Sequence, residues 1–311
     1  MNVLVTGGAG FIASHVTDKF IEQGHNVVIV DNLSTGREEN LNRDAKFYKL
    51  DIYSDNLDIV FDENNIDVIS HHAAQIDVRK SVENPAFDAQ MNIIGSINIF
   101  QQALKKNIKK IIFASTGGAI YGEQDYFPAD EKHDTRPLSP YGIAKLSIEK
   151  YLFFYKMVYG IDYVVLRYGN VYGPRQNPHG EAGVVSIFCE KILSCSQPVI
   201  NGTGTQTRDY IYVGDVVEAN LKALDFNGSE IFNVGTSKEN DVNIIFRRVN
   251  EYYGNKFEEK HGPAKKGEQM RSVIDNSKAK DLLGWEPKVD LAEGLSLTCK
   301  WFEEHYNSKE Q

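Results

Sequence analysis

Short apolar segments alternate with helical segments along the first half of the chain, and this alternation limits the possible folds more than any other feature. The helical segments include residues 85–107 and 140–159. Such alternation is typical of a parallel, doubly wound α/β sheet, in which ligands bind beyond the carboxyl ends of the strands. The six predicted strands are residues 2–7, 25–31, 46–51, 66–71, 109–115 and 161–168.

The pattern changes after Arg167, where the chain becomes irregular and richer in Gly, Pro and Asn. We therefore predict a Rossmann-type domain over residues 1–167 and a smaller α/β substrate-binding lobe over residues 168–311. The stretch VGDVVEANLKALDF has helical spacing of its apolar residues. We expect the chain to rejoin the first domain there, over about residues 214–236.

Composition and charge limit the classes of partner. The chain has 311 residues and a net charge of −9, which argues against non-specific binding to nucleic acid. No apolar run approaches the length of a membrane span, so no membrane partner is expected. Cys189, Cys195 and Cys299 are odd in number and lack metal-binding spacing, which favours a reducing, cytoplasmic compartment. His71 and His72 stand without carboxylates or thiols at such spacing, so we predict no metal.

The segment TGGAGFIA joins the first predicted strand to the first predicted helix. Gly8, Gly10 and Ala13 satisfy the G-x-G-x-x-G/A pattern, in which glycine lets the backbone approach a pyrophosphate at a helix N-terminus. Asp31 ends the second strand 21 residues after Gly10. An acid there accepts both ribose hydroxyls and repels a 2′-phosphate, so the pattern predicts NAD rather than NADP. The alternative is a glycine-rich turn that binds no ligand.

Tyr141 and Lys145 stand four residues apart in the segment YGIAK, which places both on one face of a helix. Ser139 is a suitable N-cap and Pro140 suits the first helical position, so Tyr141 falls in the first turn. The helix dipole and an ammonium group both stabilise a phenolate. A tyrosine, with an ordinary pKa of about 10, needs that help to act as a base near neutral pH. The alternative is a surface contact between the two side chains.

Together with further motifs, these segments give the chain a resemblance to the extended short-chain dehydrogenase/reductase superfamily, closest to its UDP-glucose 4-epimerase-like branch. The resemblance covers nearly the whole chain. The motifs that carry it are TGGAGFIASH, DNLSTG, HHAAQIDVRKSVENP, STGGAIYG, YGIAK, LRYGNVYGPRQ, GTGTQTRDYIYVGDV and NSKAKDLLGWEP.

The resemblance implies NAD as the cofactor, a UDP-sugar as the substrate and a homodimer built on helices 85–107 and 141–159. It implies that Tyr141 is the base, that Lys145 activates it and anchors a ribose, and that Thr116 completes the triad. Ser115 is the alternative to Thr116. The residues implied to contact NAD, besides Tyr141 and Lys145, are Gly7, Gly10, Phe11, Ile12, Asp31, Asn32, Ser34, Gly36, Asp51, Ile52, Ala73, Ala74 and Gln75.

The loop STGGAIYG distinguishes three reactions found among such relatives. Relatives that are 4,6-dehydratases carry an Asp-Glu pair directly after the loop threonine, and nucleotide-glucuronate decarboxylases carry a Glu in the same stretch. This chain has Gly117, Gly118 and Ala119, which cannot move a proton. The resemblance therefore implies that the chemistry stops at a 4-keto sugar and returns the hydride, which is 4-epimerisation. The alternative is that the glycines serve only a tight turn.

The resemblance also places substrate-binding residues in the second lobe. Arg208 suits a diphosphate, with a structural ion pair to Asp209 as the alternative. Lys265 and Arg271 are expected to join it. Ser272 is expected to face the 2-substituent of the sugar, where a small side chain admits an N-acetyl group. The remaining implied contacts are Asn170 for the sugar, Val184, Val199 and Asn201 for the base, and Glu268 for the ribose.

Three functions are compatible with these residues. The first is 4-epimerisation of UDP-glucose and UDP-galactose, extended by Ser272 to their N-acetylated counterparts. The second is a UDP-glucuronate 4-epimerase or another nucleotide-sugar oxidoreductase of the superfamily, and a uronate requires extra cationic groups near carbon 6. The third is a non-catalytic NAD-binding regulator. The intact set of Tyr141, Lys145 and Thr116 argues against a regulator, because a sensor has no need of the base.

Overall fold

A central sheet of seven parallel strands organises the protein. The computed structural model describes residues 1–179, 183–265 and 269–307. The strands are β1 (Asn2–Thr6), β2 (Asn26–Asp31), β3 (Lys46–Lys49), β4 (Val68–His71), β5 (Lys110–Thr116), β6 (Asp162–Tyr168), β7 (Asn170–Tyr172), β8 (Ile200–Asn201), β9 (Thr207–Arg208), β10 (Tyr210–Tyr212), β11 (Glu230–Val234), β12 (Asn240–Asp241), β13 (His261–Gly262) and β14 (Arg271–Ser272). The central sheet has the order β3–β2–β1–β4–β5–β6–β11. The predicted doubly wound sheet and its six predicted strands are confirmed.

Helices cover both faces of this sheet, which explains why its central strands are mostly apolar. Val3 and Val5 of β1 belong to the same apolar core as Phe20. Leu4 between them belongs to a second core with Phe100. None of the described helices is long and apolar enough to cross a membrane. The helices are α1 (Phe11–Glu22), α2 (Asp58–Glu63), α3 (Val78–Glu83), α4 (Pro85–Ala89), α5 (Gly95–Lys105), α6 (Gly117–Ile120), α7 (Pro140–Tyr159), α8 (Val184–Leu193), α9 (Val213–Asp225), α10 (Val242–Tyr252) and α11 (Leu291–Asn307).

The helical segment predicted over residues 85–107 is interrupted. A π-turn over Gln90–Ile94 separates α4 from α5. Asn92 lies in this turn, where its side chain accepts a hydrogen bond from the amide of Gln75 (2.8 Å) and donates one to the carbonyl of Gln75 (2.9 Å). The local change of helical pitch thus accompanies a buried polar contact between this turn and the segment after β4, which a pattern of apolar residues does not reveal.

Helix α7 begins and ends as its sequence predicts. The Ser139 hydroxyl accepts a hydrogen bond from the amide of Gly142 (3.1 Å), and Pro140 occupies the first helical position. Gly160 ends the helix with a φ of +73°. These caps fix where the helix starts, so Tyr141 lies in its first turn, close to the carboxyl end of β5.

The chain after β6 builds a third apolar core and then returns to the central sheet. This third core lies between α8, α10 and α11 and includes Phe188, Phe246 and Cys299. Short strands surround it as the sheets β10–β7, β12–β9–β14 and β13–β8. Between these elements, α9 packs against α1 and β11 pairs in parallel with β6. Residues 213–234 therefore lie with the central sheet.

Candidate active site

The turn between β1 and α1 has no room for larger residues at its first glycine. Gly7 has a φ of +73°, and a Cβ added there would stand 2.8 Å from the backbone nitrogen of Ala73. A side chain would therefore be strained in both its conformation and its packing. Gly10 lies directly before α1 and its amide donates to the carbonyl of Gly7 (2.9 Å). Phe11 and Ile12 open α1 beside it.

Asp31 lies at the carboxyl end of β2, against this turn. One carboxylate oxygen accepts a hydrogen bond from the amide of Ala9 (3.0 Å) and the other accepts one from the amide of Leu33 (2.8 Å). Burial raises the pKa of Asp31, and the nearby Asp51 raises it further. A Cβ on Gly36 would stand 2.8 Å from the Cβ of Ala9 and 3.0 Å from either carboxylate oxygen of Asp31. The segment after β2 is therefore folded tightly over the glycine turn.

Several other residues implied to contact NAD surround the same edge of the sheet. Asn32 donates to the carboxylate of Asp51 (2.7 Å), and its own Oδ1 accepts from the amide of Ser34 (2.9 Å). Ala73, Ala74 and Gln75 follow β4. The tight glycine turn, the helix N-terminus and the buried acid fit a dinucleotide, with the pyrophosphate at the turn and a ribose at Asp31.

The two histidines at the end of β4 have structural partners. The ring of His71 lies between the hydroxyls of Thr6 (2.7 Å) and Ser96 (2.8 Å), and the ring of His72 lies 3.0 Å from the Ser70 hydroxyl. Burial lowers the pKa of each to about 3, so both are neutral near pH 7. Within the described ranges, no group of three His, Cys, Asp or Glu side chains could hold a metal ion.

Tyr141 and Lys145 lie on one face of α7, against the end of β5. Lys145 is buried, and its Nζ donates a hydrogen bond to the carbonyl of Ala114 (2.8 Å). The same nitrogen lies 4.7 Å from the ring centroid of Phe113 and 5.9 Å from that of the half-buried Tyr141. Burial lowers the pKa of Lys145 to about 8, although neighbouring carboxylates oppose this effect. The geometry joins the helix that carries the predicted base to the strand that carries the predicted hydroxyls.

The two hydroxyls at the end of β5 have different environments. Ser115 is buried and donates a hydrogen bond to Glu149 (2.7 Å). Thr116 is half-buried, and its Oγ1 accepts a hydrogen bond from the amide of Ala119 (3.2 Å). A Cβ added to Gly118 would stand 3.9 Å from this oxygen and 3.6 Å from Oδ1 of Asn170. The structure therefore brings Thr116 and Asn170 together around Gly118 and turns Ser115 toward the interior.

The short helix α6, which follows Thr116, is tightly packed at one glycine and open at the next. A Cβ on Gly117 would stand 2.8 Å from the side chain of Ile274 and 3.2 Å from the carbonyl of Tyr168. The atoms nearest to a Cβ on Gly118 lie at ordinary contact distance. Gly142, the neighbour of Tyr141, lies against the carbonyl of Ala119, which joins α6 to α7. Packing therefore explains why residue 117 is a glycine. At residue 118 the packing leaves room for a larger side chain.

In the second lobe, the sheet β12–β9–β14 separates two predicted diphosphate contacts. Arg208 lies opposite Ser272 in the parallel pairing of β9 with β14, and Thr207 lies opposite Arg271. Paired residues share a face of a sheet and successive residues alternate, so Arg208 and Ser272 share one face. Arg271 shares the other face with Thr207.

Arg271 has partners of its own on that face. Its guanidinium forms two hydrogen bonds with the carboxylate of Glu239 (2.9 and 2.7 Å) and lies 3.7 Å from the ring centroid of Phe127. Thr207 donates to the same carboxylate (2.8 Å). The structure does not bring Arg271 to the face of Arg208, because Glu239 holds it on the opposite one.

Arg208 and Asp209 do not form the ion pair considered as an alternative. The Asp209 carboxylate accepts hydrogen bonds from the amide (2.7 Å) and hydroxyl (2.6 Å) of Thr236 and from the amide of Ser237 (3.1 Å). Burial raises its pKa to about 6. Arg208 donates to the carbonyl of Thr207 (2.7 Å). The carboxylate of Asp209 therefore binds the loop after β11 and does not pair with Arg208.

The remaining predicted substrate contacts are spread over the second lobe. Val184 opens α8 and is half-buried, Asn201 is half-buried in β8, and Val199 directly before that strand is exposed. Lys265 is exposed in the loop after β13. The prediction for Glu268 concerns a residue that lies outside the described ranges.

Two polar residues of the site were not anticipated from the sequence. Glu149 and Arg167 form a buried ion pair directly behind Lys145 and Ser115. The spacing in the sequence could have indicated them. Glu149 stands one helical turn after Lys145, so it lies on the same face of the helix. A carboxylate on a buried face requires a charged or hydrogen-bonding partner.

Comparison with known protein families decides the classification. The model of the NAD dependent epimerase/dehydratase family matches residues 3–235. The chain belongs to this family. This match confirms the family that the sequence motifs indicated. It also confirms NAD as the cofactor, in agreement with the glycine turn and Asp31.

Individual relatives match along nearly their whole length. A putative UDP-glucose 4-epimerase of Methanocaldococcus jannaschii is 49% identical over 299 residues, which cover 96% of this chain and 97% of the relative. The crystal structure of a UDP-glucose 4-epimerase from Thermotoga maritima with UDP-glucose is 50% identical, with a TM-score of 0.96, and covers 98% of this chain and 100% of that one. The UDP-glucose 4-epimerase of Thermus thermophilus, in complex with NAD, is 41% identical, with a TM-score of 0.92 and coverage of 97% and 99%. These matches confirm the predicted fold. They also confirm that the chain is an isomerase similar to UDP-glucose 4-epimerases.

Proposed function

We propose that the protein is an NAD-dependent 4-epimerase of UDP-hexoses that interconverts UDP-glucose and UDP-galactose through a transient 4-keto sugar. The arrangement around Gly118 carries this proposal. Thr116 and Asn170 flank the open space there, and Gly142 brings the helix of Tyr141 against the same loop. Gly117, Gly118 and Ala119 provide no acid for elimination or decarboxylation. The remaining course is to return the hydride to the opposite face of the sugar.

The residues of this chain divide the work of the proposed reaction. Tyr141 removes the proton of the 4-hydroxyl and later returns it, and the ammonium group of Lys145 stabilises the phenolate. Thr116 orients the same hydroxyl. When bound, NAD supplies the acceptor and donor of hydride for carbon 4. Gly118 leaves room for the sugar to turn over between the two hydride transfers.

We assign the diphosphate to Arg208 and the 2-substituent of the sugar to Ser272. The pairing of β9 with β14 supports both assignments, because these side chains lie side by side on one face. A guanidinium fork suits a diphosphate, and Lys265 on its exposed loop adds a second positive charge. Ser272 is small, so we include the N-acetylated UDP-hexosamines among the substrates.

A panel of nucleotide sugars tests the function and the role of Ser272 together. The purified protein is incubated with UDP-glucose, UDP-galactose, their N-acetylated counterparts and UDP-glucuronate, and the configuration at carbon 4 is followed by NMR. We expect UDP-glucose and UDP-galactose to reach equilibrium with each other, and likewise their N-acetylated counterparts, without accumulation of reduced NAD. Ser272 is buried, and Ser272→Tyr, which places a large side chain there, should lose the acetamido substrates and keep the hexoses. Ser272→Ala, which stays small, should keep both.

Other outcomes of the same panel select the other functions. Turnover of UDP-glucuronate alone identifies a uronate epimerase. A protein that retains NAD and converts none of the sugars is a regulator. Net consumption of added NAD identifies a dehydrogenase, and equal loss of both substrate types in Ser272→Tyr removes Ser272 from the recognition of the 2-substituent.

A further inference from the structure

A buried ion pair lies behind the predicted catalytic residues. Glu149 lies on α7, one helical turn after Lys145, and its side chain is 1% exposed. Its carboxylate accepts three hydrogen bonds, from the hydroxyl of Ser115 (2.7 Å) and from Nε (3.0 Å) and Nη2 (2.6 Å) of Arg167. One side chain therefore links the helix of Tyr141 and Lys145 to the end of β5 and to β6.

The network continues across the sheet. Arg167 also donates a hydrogen bond from Nη1 to the hydroxyl of Tyr121 (2.9 Å), and that hydroxyl donates to the side chain of Asn233 on β11 (2.7 Å). The guanidinium lies 5.1 Å from the ring centroid of Tyr121. Three parallel strands and α7 are thus fixed relative to one another at the edge of the sheet where Thr116 ends β5.

The charges around Lys145 come from several elements. Glu149 on α7 and Asp88 on α4 are the carboxylates that favour its ammonium form. Asp88 itself accepts hydrogen bonds from Gln75 (3.0 Å) and Asn92 (3.0 Å). His71 and His72, at the end of β4, face the same region as neutral rings.

These charges act on a lysine whose ammonium form is already disfavoured. Burial lowers the pKa of Lys145 to about 8, and the two carboxylates limit that fall. Loss of the Glu149 charge should therefore let Lys145 release its proton at a lower pH.

We propose that Glu149 is a positioning residue, which, held by Arg167, fixes the Tyr141 and Lys145 pair relative to Thr116 and supports the ammonium group of Lys145 with its charge. The inference rests on the proposed function, since it assigns a role in that reaction to a side chain that touches no reacting atom. It goes beyond a role in stability, because a buried ion pair is a weak stabilising device that apolar residues of similar size can often replace.

The chain offers a matched control for this proposal. Lys156 and Asp162 form a second ion pair between the same two elements, α7 and β6 (2.6 Å), away from Lys145. Asp162→Asn removes a carboxylate that joins these elements without changing the charge beside the site. A purely structural role of Glu149 predicts the same behaviour for both substitutions.

The test compares Glu149→Gln, the double variant Glu149→Met/Arg167→Met and Asp162→Asn. Glu149→Gln removes the charge and keeps the shape, but it leaves Arg167 buried without its partner. The double variant removes both charges, which keeps the experiment open if the single variant fails to fold. Turnover is measured against pH for each protein, with thermal unfolding measured in parallel.

We expect the high-pH limb of the turnover profile to move to lower pH by about one unit in Glu149→Gln. It should move in the same direction but less far in the double variant, because that variant also loses the positive charge of Arg167. It should stay in place in Asp162→Asn. A second readout needs no turnover. The tyrosinate absorbance that Tyr141→Phe lacks reports the ionisation of Tyr141. Its midpoint should lie at higher pH in the Glu149 variants than in the wild type, because the phenolate loses the support of the ammonium group.

The two readouts separate this inference from the proposed function. If the wild-type protein epimerises no sugar, the proposed function fails, and the tyrosinate midpoint still decides the role of Glu149. If both Glu149 variants unfold at lower temperature and keep the wild-type turnover profile and tyrosinate midpoint, the ion pair is structural and the inference is overturned.

Discussion

At the scale of single residues, the candidate site contains a buried lysine, Lys145, whose pKa is lowered by that burial. Its hydrogen bond to Ala114 fixes the position of Nζ. With its pKa lowered to about 8, the ammonium form of Lys145 dominates below that pH and is lost as the pH rises through it. While it is charged, an ammonium group favours the ionised form of a neighbouring phenol.

The phenol oxygen of Tyr141 is therefore the atom whose removal should affect the reaction most. Tyr141→Phe keeps the ring and removes that oxygen. We expect turnover to fall roughly 10²–10⁴-fold, the usual contribution of a general base. The melting temperature and the amount of NAD that copurifies should stay near their wild-type values. Steady-state assays and the absorbance of released cofactor measure these quantities.

A matched control for this variant is Tyr126→Phe, which removes a phenol oxygen from an exposed tyrosine that bonds to Asp130. It should leave turnover unchanged. Near-normal epimerisation by Tyr141→Phe would transfer the role of base to another group.

At the scale of elements, the regular core was predictable and the small sheets were not. Apolar runs located the six strands, and the Ser139 cap located α7, because each depends on neighbours in sequence. The pairing of β9 with β14 is different, since each strand has two residues and their register is set by tertiary contacts. For the same reason the sequence could not place Arg271 with Glu239.

The loop after β5 allows a direct test of packing against function. Gly117→Ala places a methyl group against the buried Ile274 and a backbone carbonyl, so we expect a loss of about 1–3 kcal/mol in the free energy of unfolding. Gly118→Ala meets only ordinary contacts, so stability should change little. Its methyl group would nevertheless enter the space between Thr116 and Asn170, and turnover should fall severalfold.

Thermal unfolding and steady-state turnover measured on both variants decide between these roles. If Gly118→Ala turns over sugars like the wild type, the glycines serve the turn alone. If Gly117→Ala is as stable as the wild type, the packing against Ile274 is more tolerant than its distances indicate.

At the scale of the whole molecule, the second lobe is anchored to the first beside the glycine turn. His15 of α1 bonds to the carbonyl of Pro174 (2.9 Å), and Arg175 pairs with Asp18 (2.8 Å). Arg37, after the Asp31 segment, donates to Asn177 (3.2 Å). These contacts join the segment after β7 to the elements that flank the glycine turn and Asp31, where we propose that NAD binds. We expect them to slow the release of the cofactor.

The outer face of α7 leads to the last prediction. Phe153, Phe154, Met157 and Val158 are all exposed there, with Met157 68% exposed. A cluster of large apolar side chains is unusual on the surface of a monomer and is typical of an interface. We therefore expect the chain to be a homodimer through α7 and the 85–107 segment.

The substitutions Phe154→Glu and Met157→Glu together place two charges in this patch. We expect light scattering to give a dimer for the wild type and a monomer for the double variant, because burying unpaired charges at an interface is costly. The double variant should still retain NAD, because none of the residues assigned to the cofactor belongs to the patch. Leu282→Glu, which charges an exposed apolar residue outside the patch, should remain dimeric. If light scattering shows that the wild-type protein is a monomer, the prediction of a homodimer through this patch is wrong.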